Sequence, residues 1–211
     1  MVRENPCPGL LSHLAQIESQ GQRLSADELT SLVFVLLVAG HETTVHLINS
    51  AMRLLLQNKD QRARLLGDWN LLDSAIDEVL RFDSPVYLSK PRFVTCEYDF
   101  HGATLKKGEA VMAMLGAANA DPQRFDNPEL FDIGRSKNYH MTFGSGPHVC
   151  LGMKLAKSEC AVAIRHLFEA FPDIGLHDYR WQRRLGMMGM KQLHLNCLNY
   201  DMPLGSANMS R

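Results

Sequence analysis

The chain has 211 residues, 45% of them hydrophobic and 21% charged, with a formal net charge of -1. Near-neutral charge removes the basic excess that nucleic-acid and acidic-membrane binders use to hold phosphates. Five cysteines (Cys7, Cys96, Cys150, Cys160, Cys197) without a C-x-x-C pair fit neither a disulfide framework nor a cysteine zinc site, so a reducing, cytoplasmic setting is expected.

No secretory signal is visible in the first residues, because no adequate apolar stretch follows the basic one. The longest uninterrupted apolar run, Leu32 to Gly40, falls short of the roughly 20 residues of a membrane span, so no membrane association is expected. Residues 1–9, with two prolines, read as an extended lead-in, and Leu10 to Ser19 as a short amphipathic helix. Ser25 to Glu28 ("SADE") has the form of a capping box and predicts a long helix to about Leu56. A short basic helix over Gln61 to Leu66 follows, then one over Leu71 to Arg81 with Asp68 or Asn70 as its cap and Asp83-Ser84-Pro85 as its stop.

From Val86 to Val111, β-branched and aromatic residues with turns at His101-Gly102 and Lys107-Gly108 predict a small antiparallel sheet. Asp121 to Arg135 reads as an anchored meander. A helix is predicted from about Leu151 to Phe171, its apolar side formed by Leu155, Val162, Ile164, Leu167 and Phe168. Residues 172–200 read as loops and short strands, and 201–211 as a flexible tail. The expected class is mainly α with small antiparallel sheets (α+β), with residues 1–200 as one partial domain.

Four stretches carry candidate chemistry. Along the long helix, Val35, Val38, Ala39, Glu42, Thr43 and His46 share one stripe, which starts apolar and turns acidic and hydroxylated. Ala39-Gly40 would let a ligand approach the backbone; a solvated Glu42 on a helix leaving the core is the plainer alternative. "HETTVH" is not a zinc-protease site, because His41 and His46 are five apart rather than four. In "DEVLR", Arg81 can pair with Glu78 or with Asp77. Arg135 ends "PELFDIGR", by default a surface loop.

The fourth stretch is "FGSGPHVCLG", Phe143 to Gly152. Gly144, Gly146 and Gly152 permit close backbone approach, and Cys150 sits at a predicted helix start, which favours a thiolate. Cys150 can be a nucleophile with His148 as base, an anionic metal ligand, or a buried inert thiol; the glycines and helix start argue against the last.

Together these residues resemble the cytochrome P450 haem-thiolate monooxygenases of bacterial soluble type. Phe143, Gly146, Cys150 and Gly152 match the family's F-x-x-G-x-x-x-C-x-G signature, "AGHETT" its oxygen-activation motif, and Glu78 with Arg81 its E-x-x-R motif. The resemblance implies the carboxy-terminal portion of that fold, from the long central helix onward, and covers residues 1 to about 200. It implies haem b with Cys150 as axial thiolate ligand, Phe143 and the glycines shielding the sulfur, and His148 and Arg92 on the propionates. Glu78, Arg81 and Arg135 would form a buried charge network.

Thr43 and Glu42 would deliver protons to dioxygen, with Ala39-Gly40 opening the groove it occupies. Val35, Val38, Val86, Tyr87, Leu88, Met187 and Met188 would line a pocket for a small hydrophobic substrate. The implied activity is insertion of one oxygen atom of O2, with electrons from NAD(P)H through a ferredoxin-type donor. Lys154 and Lys157 would meet that donor, or simply form a solvated face. The alternative is a non-catalytic haem-binding or protein-interaction remnant, because the family's amino-terminal half has no counterpart here. The chain would then be either a fragment or the partner of an amino-terminal half supplied by another chain, and without that half Leu32, Phe34, Leu36 and Leu37 would lose much of their cover.

Overall fold

The computed structural model describes residues 8–16, 18–19 and 22–197; most of the expected lead-in and the tail at 201–211 lie outside the described residues. The chain divides into two compact units, one ending at Thr43 and the other beginning at Thr44.

The first unit opens with α1 (Leu10–Gln16), shorter than expected, because the next described residues form a two-stranded antiparallel pair, β1 (Glu18–Ser19) with β2 (Gln22–Arg23). Helix α2 (Ala26–Gln57) then begins at a reciprocal capping box. The Glu28 amide donates to Ser25 Oγ (3.1 Å) and the Ser25 amide to Glu28 Oε2 (2.8 Å), which satisfies two N–H groups that a helix start leaves open. In this unit Phe34 (66%), Val35, Leu37 (67%) and Val38 are exposed. Leu32 and Leu36 keep partial cover, so the expected uncovering falls on one side of the helix. By length and composition α2 is apolar enough to cross a membrane, although no uninterrupted apolar run in it reaches that length.

In the second unit the rest of α2 supplies Leu47, Ala51, Leu54 and Leu55 to the core. Asn58 interrupts the chain before α3 (Lys59–Gly67). Of the two expected caps, Asp68 acts: its carboxylate accepts from the Asn70 amide (3.0 Å) and starts a single 3-10 turn, Trp69–Leu71, that leads into α4 (Leu72–Phe82). The α4 face bearing Ile76, Val79 and Leu80 is fully buried and packs against the late helix α6 (Met153–Ala170), with which it forms one layer.

The buried stripe of α6 is Cys160, Ile164 and Phe168, spaced i, i+4, i+8. Leu155 and Val162, expected on that side, are instead 63% and 57% exposed, because their positions fall off the stripe. Burial pushes the Cys160 thiol up to about 12.

Between α4 and α6 run four short strands: β3 (Arg92–Phe93) paired with β6 (Ala110–Val111), and β4 (Tyr98–Phe100) with β5 (Ala103–Leu105), all antiparallel. His101 (φ 47°) and Gly102 (φ 84°) are both left-handed, the signature of a two-residue type I′ hairpin turn. A short helix α5 (Leu115–Asn119) follows. In the meander, Phe125, Phe131 and Ile133 are the buried anchors.

Residues 172–200 depart most from expectation. They contain one ten-by-ten antiparallel hairpin, β7 (Gly175–Arg184) with β8 (Met187–Asn196). Its strands carry His, Asp, Arg and Gln among the apolar residues, which hides the two-residue alternation. It docks on α2 at Gly189, where a β-carbon would overlap the buried His46 ring.

Two outcomes are expected. Thiol labelling of the native protein modifies Cys96, Cys150 and Cys197, while Cys160 reacts only after unfolding; rapid native labelling of Cys160 would contradict its burial. Glu78→Gln, which strips the charge from a fully buried and paired carboxylate, lowers stability by about 3–5 kcal/mol in urea unfolding.

Candidate functional site

Glu78 is fully buried on α4, and its carboxylate accepts five hydrogen bonds. They come from Arg81 Nε and Nη2 (both 2.8 Å), Arg135 Nε (3.0 Å), Asn138 Nδ2 (3.0 Å) and the Asp132 amide (3.0 Å). A buried charge is tolerable only when paired and fully hydrogen-bonded, as here. The two arginines spend their other N–H groups on backbone carbonyls: Arg81 on Asn119, Pro128 and Leu130, and Arg135 on Asp126, Asn127 and Leu130. The structure therefore brings Glu78, Arg81 and Arg135 together and uses them to lash the meander to α4.

Asp77 is the other half of the choice that "DEVLR" left open. It turns outward, accepting from Lys157 Nζ (2.8 Å) on α6 and meeting His140 Nε2 (3.3 Å). Burial pushes the Asp77 pKa up, but the hydrogen bonds from His140 and Lys157 outweigh that and hold it below the ordinary value. Lys157 is thus engaged in an ion pair, whereas Lys154 is exposed.

Several residues that the sequence did not single out hold the approach to the cysteine loop. Buried Asn119 accepts from the Met141 amide (2.6 Å) and donates to Thr142 Oγ1 (3.0 Å), which itself donates to the Leu80 carbonyl (2.7 Å). The His140 ring lies 5.8 Å from that of Phe143. A polar residue inside a short alanine-rich helix was the one available signal for Asn119.

The loop begins at Phe143, whose carbonyl accepts from the Cys150 amide (2.9 Å) and closes the loop on itself. Gly144 (φ 70°) and Gly146 (φ 76°) are left-handed, a conformation that side chains disfavour, and both face open space. One 3-10 turn, Gly146–His148, precedes Cys150, and α6 starts three residues after it. Cys150 is exposed, which excludes the buried inert thiol. Among the described residues no hydrogen bond joins His148 to Cys150, so the nucleophile reading lacks its base. Val149, Leu151 (92% exposed) and Leu155 surround the thiol in sequence with exposed apolar side chains.

Arg92 is exposed on β3. In the first unit, Thr43 Oγ1 donates to the Ala39 carbonyl (2.7 Å), Glu42 is half-buried, and no neighbour would obstruct a β-carbon at Gly40. In the second unit, Val86 forms a β-bridge with Met187, the Tyr87 amide donates to the Gly186 carbonyl (3.2 Å), and the Met188 amide to that of Pro85 (3.0 Å). Two segments separated by about a hundred residues thus meet in one turn-on-turn junction. A cavity of about 290 Å3 opens beside it, lined by Phe82, Asp83, Tyr87, Met114, Ala117 and Met188 among others.

A family model for cytochrome P450 matches residues 3–173. The chain belongs to the cytochrome P450 family. Cytochrome P450 107B1 of Saccharopolyspora erythraea is 43% identical over 195 residues, which is 90% of this chain and 48% of that protein. CYP109E1 of Bacillus megaterium, crystallised with testosterone, superposes with a TM-score of 0.89 at 33% identity, covering 94% of this chain and 56% of that one. The myxobacterial CYP267B1, crystallised with myristic acid, does so at 0.88 and 43% identity, covering 94% and 50%. This P450 chain spans about half the length of the curated relatives it matches.

Because its folded-state pKa is depressed, Asp77 contributes stability that is present above its unfolded value and lost as pH falls through the folded one. Asp77→Asn is therefore expected to flatten the acid limb of the stability curve below about pH 4. Urea midpoints of both proteins across that range check this; identical slopes would remove Asp77 as a contributor.

Proposed function

We propose that this chain is the haem-binding part of a monooxygenase that inserts one oxygen atom of O2 into a small hydrophobic substrate. The observation that carries the reading is the Cys150 thiol, exposed on a glycine loop that the bond from its own amide to the Phe143 carbonyl closes, just after Asn138 and His140, which the α4 carboxylates hold. The donor set fits haem b. One soft sulfur ligand stands beside left-handed glycines with open space in front of them, and Val149, Leu151 and Leu155 offer apolar contact.

When bound, haem supplies the iron centre at which dioxygen is reduced, fed by NAD(P)H through a ferredoxin-type donor. Cys150 would hold the iron through its sulfur, and Phe143, Gly144, Gly146 and Gly152 would shape its surroundings. His148 and Arg92, both exposed cations or potential cations, take the propionates. The Thr43 hydroxyl, oriented by its bond to the Ala39 carbonyl, keeps its oxygen lone pairs available to hold a proton-carrying water, and Glu42 one position earlier exchanges that proton with solvent. Ala39 and Gly40 leave room beside the helix.

Val35, Val38, Val86, Tyr87, Met187 and Met188 supply substrate contacts. Their apolar character supports a hydrophobic substrate, as do the testosterone and myristic acid bound to relatives. Lys154 is the better candidate for meeting an acidic electron donor, since Lys157 already serves Asp77. A cytoplasmic location fits the near-neutral charge and free cysteines.

A second reading is a remnant that binds haem or protein without turnover. In it the exposed apolar side chains of Phe34, Val35, Leu37 and Val38 serve as a protein-contact surface. Reconstitution with haem is expected to give a reduced carbon monoxide difference spectrum with the red-shifted Soret band of thiolate ligation, absent in Cys150→Ala of unchanged circular dichroism. No haem uptake by the wild-type chain would sink the proposal for this chain by itself. Uptake without NADPH-driven turnover, even with a ferredoxin pair, would favour the second reading.

A further inference from the structure

Arg53 on α2 is buried, yet it belongs to none of the motifs above. Its Nη2 donates to Asp83 Oδ2 (2.7 Å), with the two side chains 10% and 7% exposed. Its Nη1 donates to Gln57 Oε1 (2.6 Å), and Gln57 reaches the Tyr179 hydroxyl (3.4 Å). The guanidinium carbon sits 5.5 Å from the Tyr179 ring centre and 5.2 Å from that of Trp181, two rings that meet edge to face. One planar cation thus grips the end of α4 and strand β7 at the same time.

Those two attachment points lead directly to the junction of the 85–88 segment with the hairpin tip. Asp83 lies two residues before Pro85, whose carbonyl receives the Met188 amide. Trp181 lies three residues before the end of β7, about 10 Å from the hairpin tip at the usual strand rise. Beyond that tip the Gly186 carbonyl receives the Tyr87 amide, and Met187 bridges to Val86. His46, two helical turns before Arg53 on the same face, seats Gly189 of β8. The hairpin is therefore pinned to α2 through His46, Arg53 and Gln57, and of these Arg53 also holds the segment the tip must meet.

We propose that Arg53 is a positioning residue for substrate selection: through Asp83, Tyr179 and Trp181 it fixes how Met187 and Met188 stand relative to Val86 and Tyr87. The proposal rests on the reading that this junction faces substrate. Lysine would not replace it, because an ammonium can reach Asp83 but has no plane to lay against Tyr179 and Trp181. Asp83 also lines the neighbouring cavity, so losing the cation alters both the junction and the charge beside it.

The test compares wild type with Arg53→Lys, and with Arg53→Met combined with Asp83→Asn so that no unpaired carboxylate stays buried. Amide hydrogen exchange at Met188 and Tyr87 is expected to quicken about tenfold or more, while Phe171 at the end of α6 and Asn58 at the end of α2 change by less than about twofold. After haem loading, the ratio of spectral dissociation constants for testosterone and myristic acid is expected to shift about fivefold. Unchanged exchange at Met188, or equal acceleration at Phe171 and Asn58, would overturn the positioning role. Altered exchange with an unaltered probe ratio would overturn the role in selection. Failure of the wild-type chain to take up haem would sink the monooxygenase reading instead, and the exchange comparison would still decide what Arg53 does.

Discussion

A single carboxylate with no access to water sets the terms for the second unit. Glu78 would be intolerable on α4 unless every lone pair were used, and the chain meets that demand with donors drawn from positions 81, 132, 135 and 138. Satisfying it forces the meander to fold back over α4, and the arginines then consume five different backbone carbonyls that a loop would otherwise leave to solvent. With the meander fixed, Asn119, Thr142 and the Phe143 carbonyl carry the constraint on to Cys150. The placement of the thiol loop is thus linked through these bonds to a charge on a helix far earlier in the chain.

Helices with local signatures are legible from residue spacing. The reciprocal bonds of Ser25 and Glu28 follow from their positions alone, and so does the left-handed pair at His101-Gly102. Order and spacing of the short motifs also suffice to recognise the family, because each motif marks a place where ordinary residues would not serve. Pairings decided by tertiary neighbours are not legible in this way. Nothing local tells Arg81 to choose Glu78 over Asp77; the choice is made by Lys157, which arrives on α6 to occupy Asp77.

The β7–β8 hairpin escapes a reading by pattern for a related reason. Its Tyr179 and Trp181 rings are held by Arg53 of α2 and its Asp178 pairs with His194 across the strands, so the side chains that stabilise it do not follow a simple apolar alternation. On α6, Leu155 and Val162 look like core residues by composition, yet the true stripe runs through Cys160, a residue usually read for its chemistry and here used as a small hydrophobe. The recognised motifs say where a ligand would sit. The clamp around Arg53 holds the end of α4 and strand β7 together through residues with no motif at all.

The Glu78 cluster also has a history in time. Arg81 is synthesised almost together with Glu78, but Arg135 follows 57 residues later and Asn138 60 residues later. At about 5–20 residues per second on the ribosome, roughly 3–12 s pass with the carboxylate only half satisfied. During that interval burial of α4 would leave Glu78 with the two bonds from Arg81 and short of its later donors, which is costly. The last strand of the hairpin arrives later still. The helix α6 that packs on α4 is made only after residues 132, 135 and 138, so the order of the chain supplies the donors for Glu78 before the surface that would seal it from water.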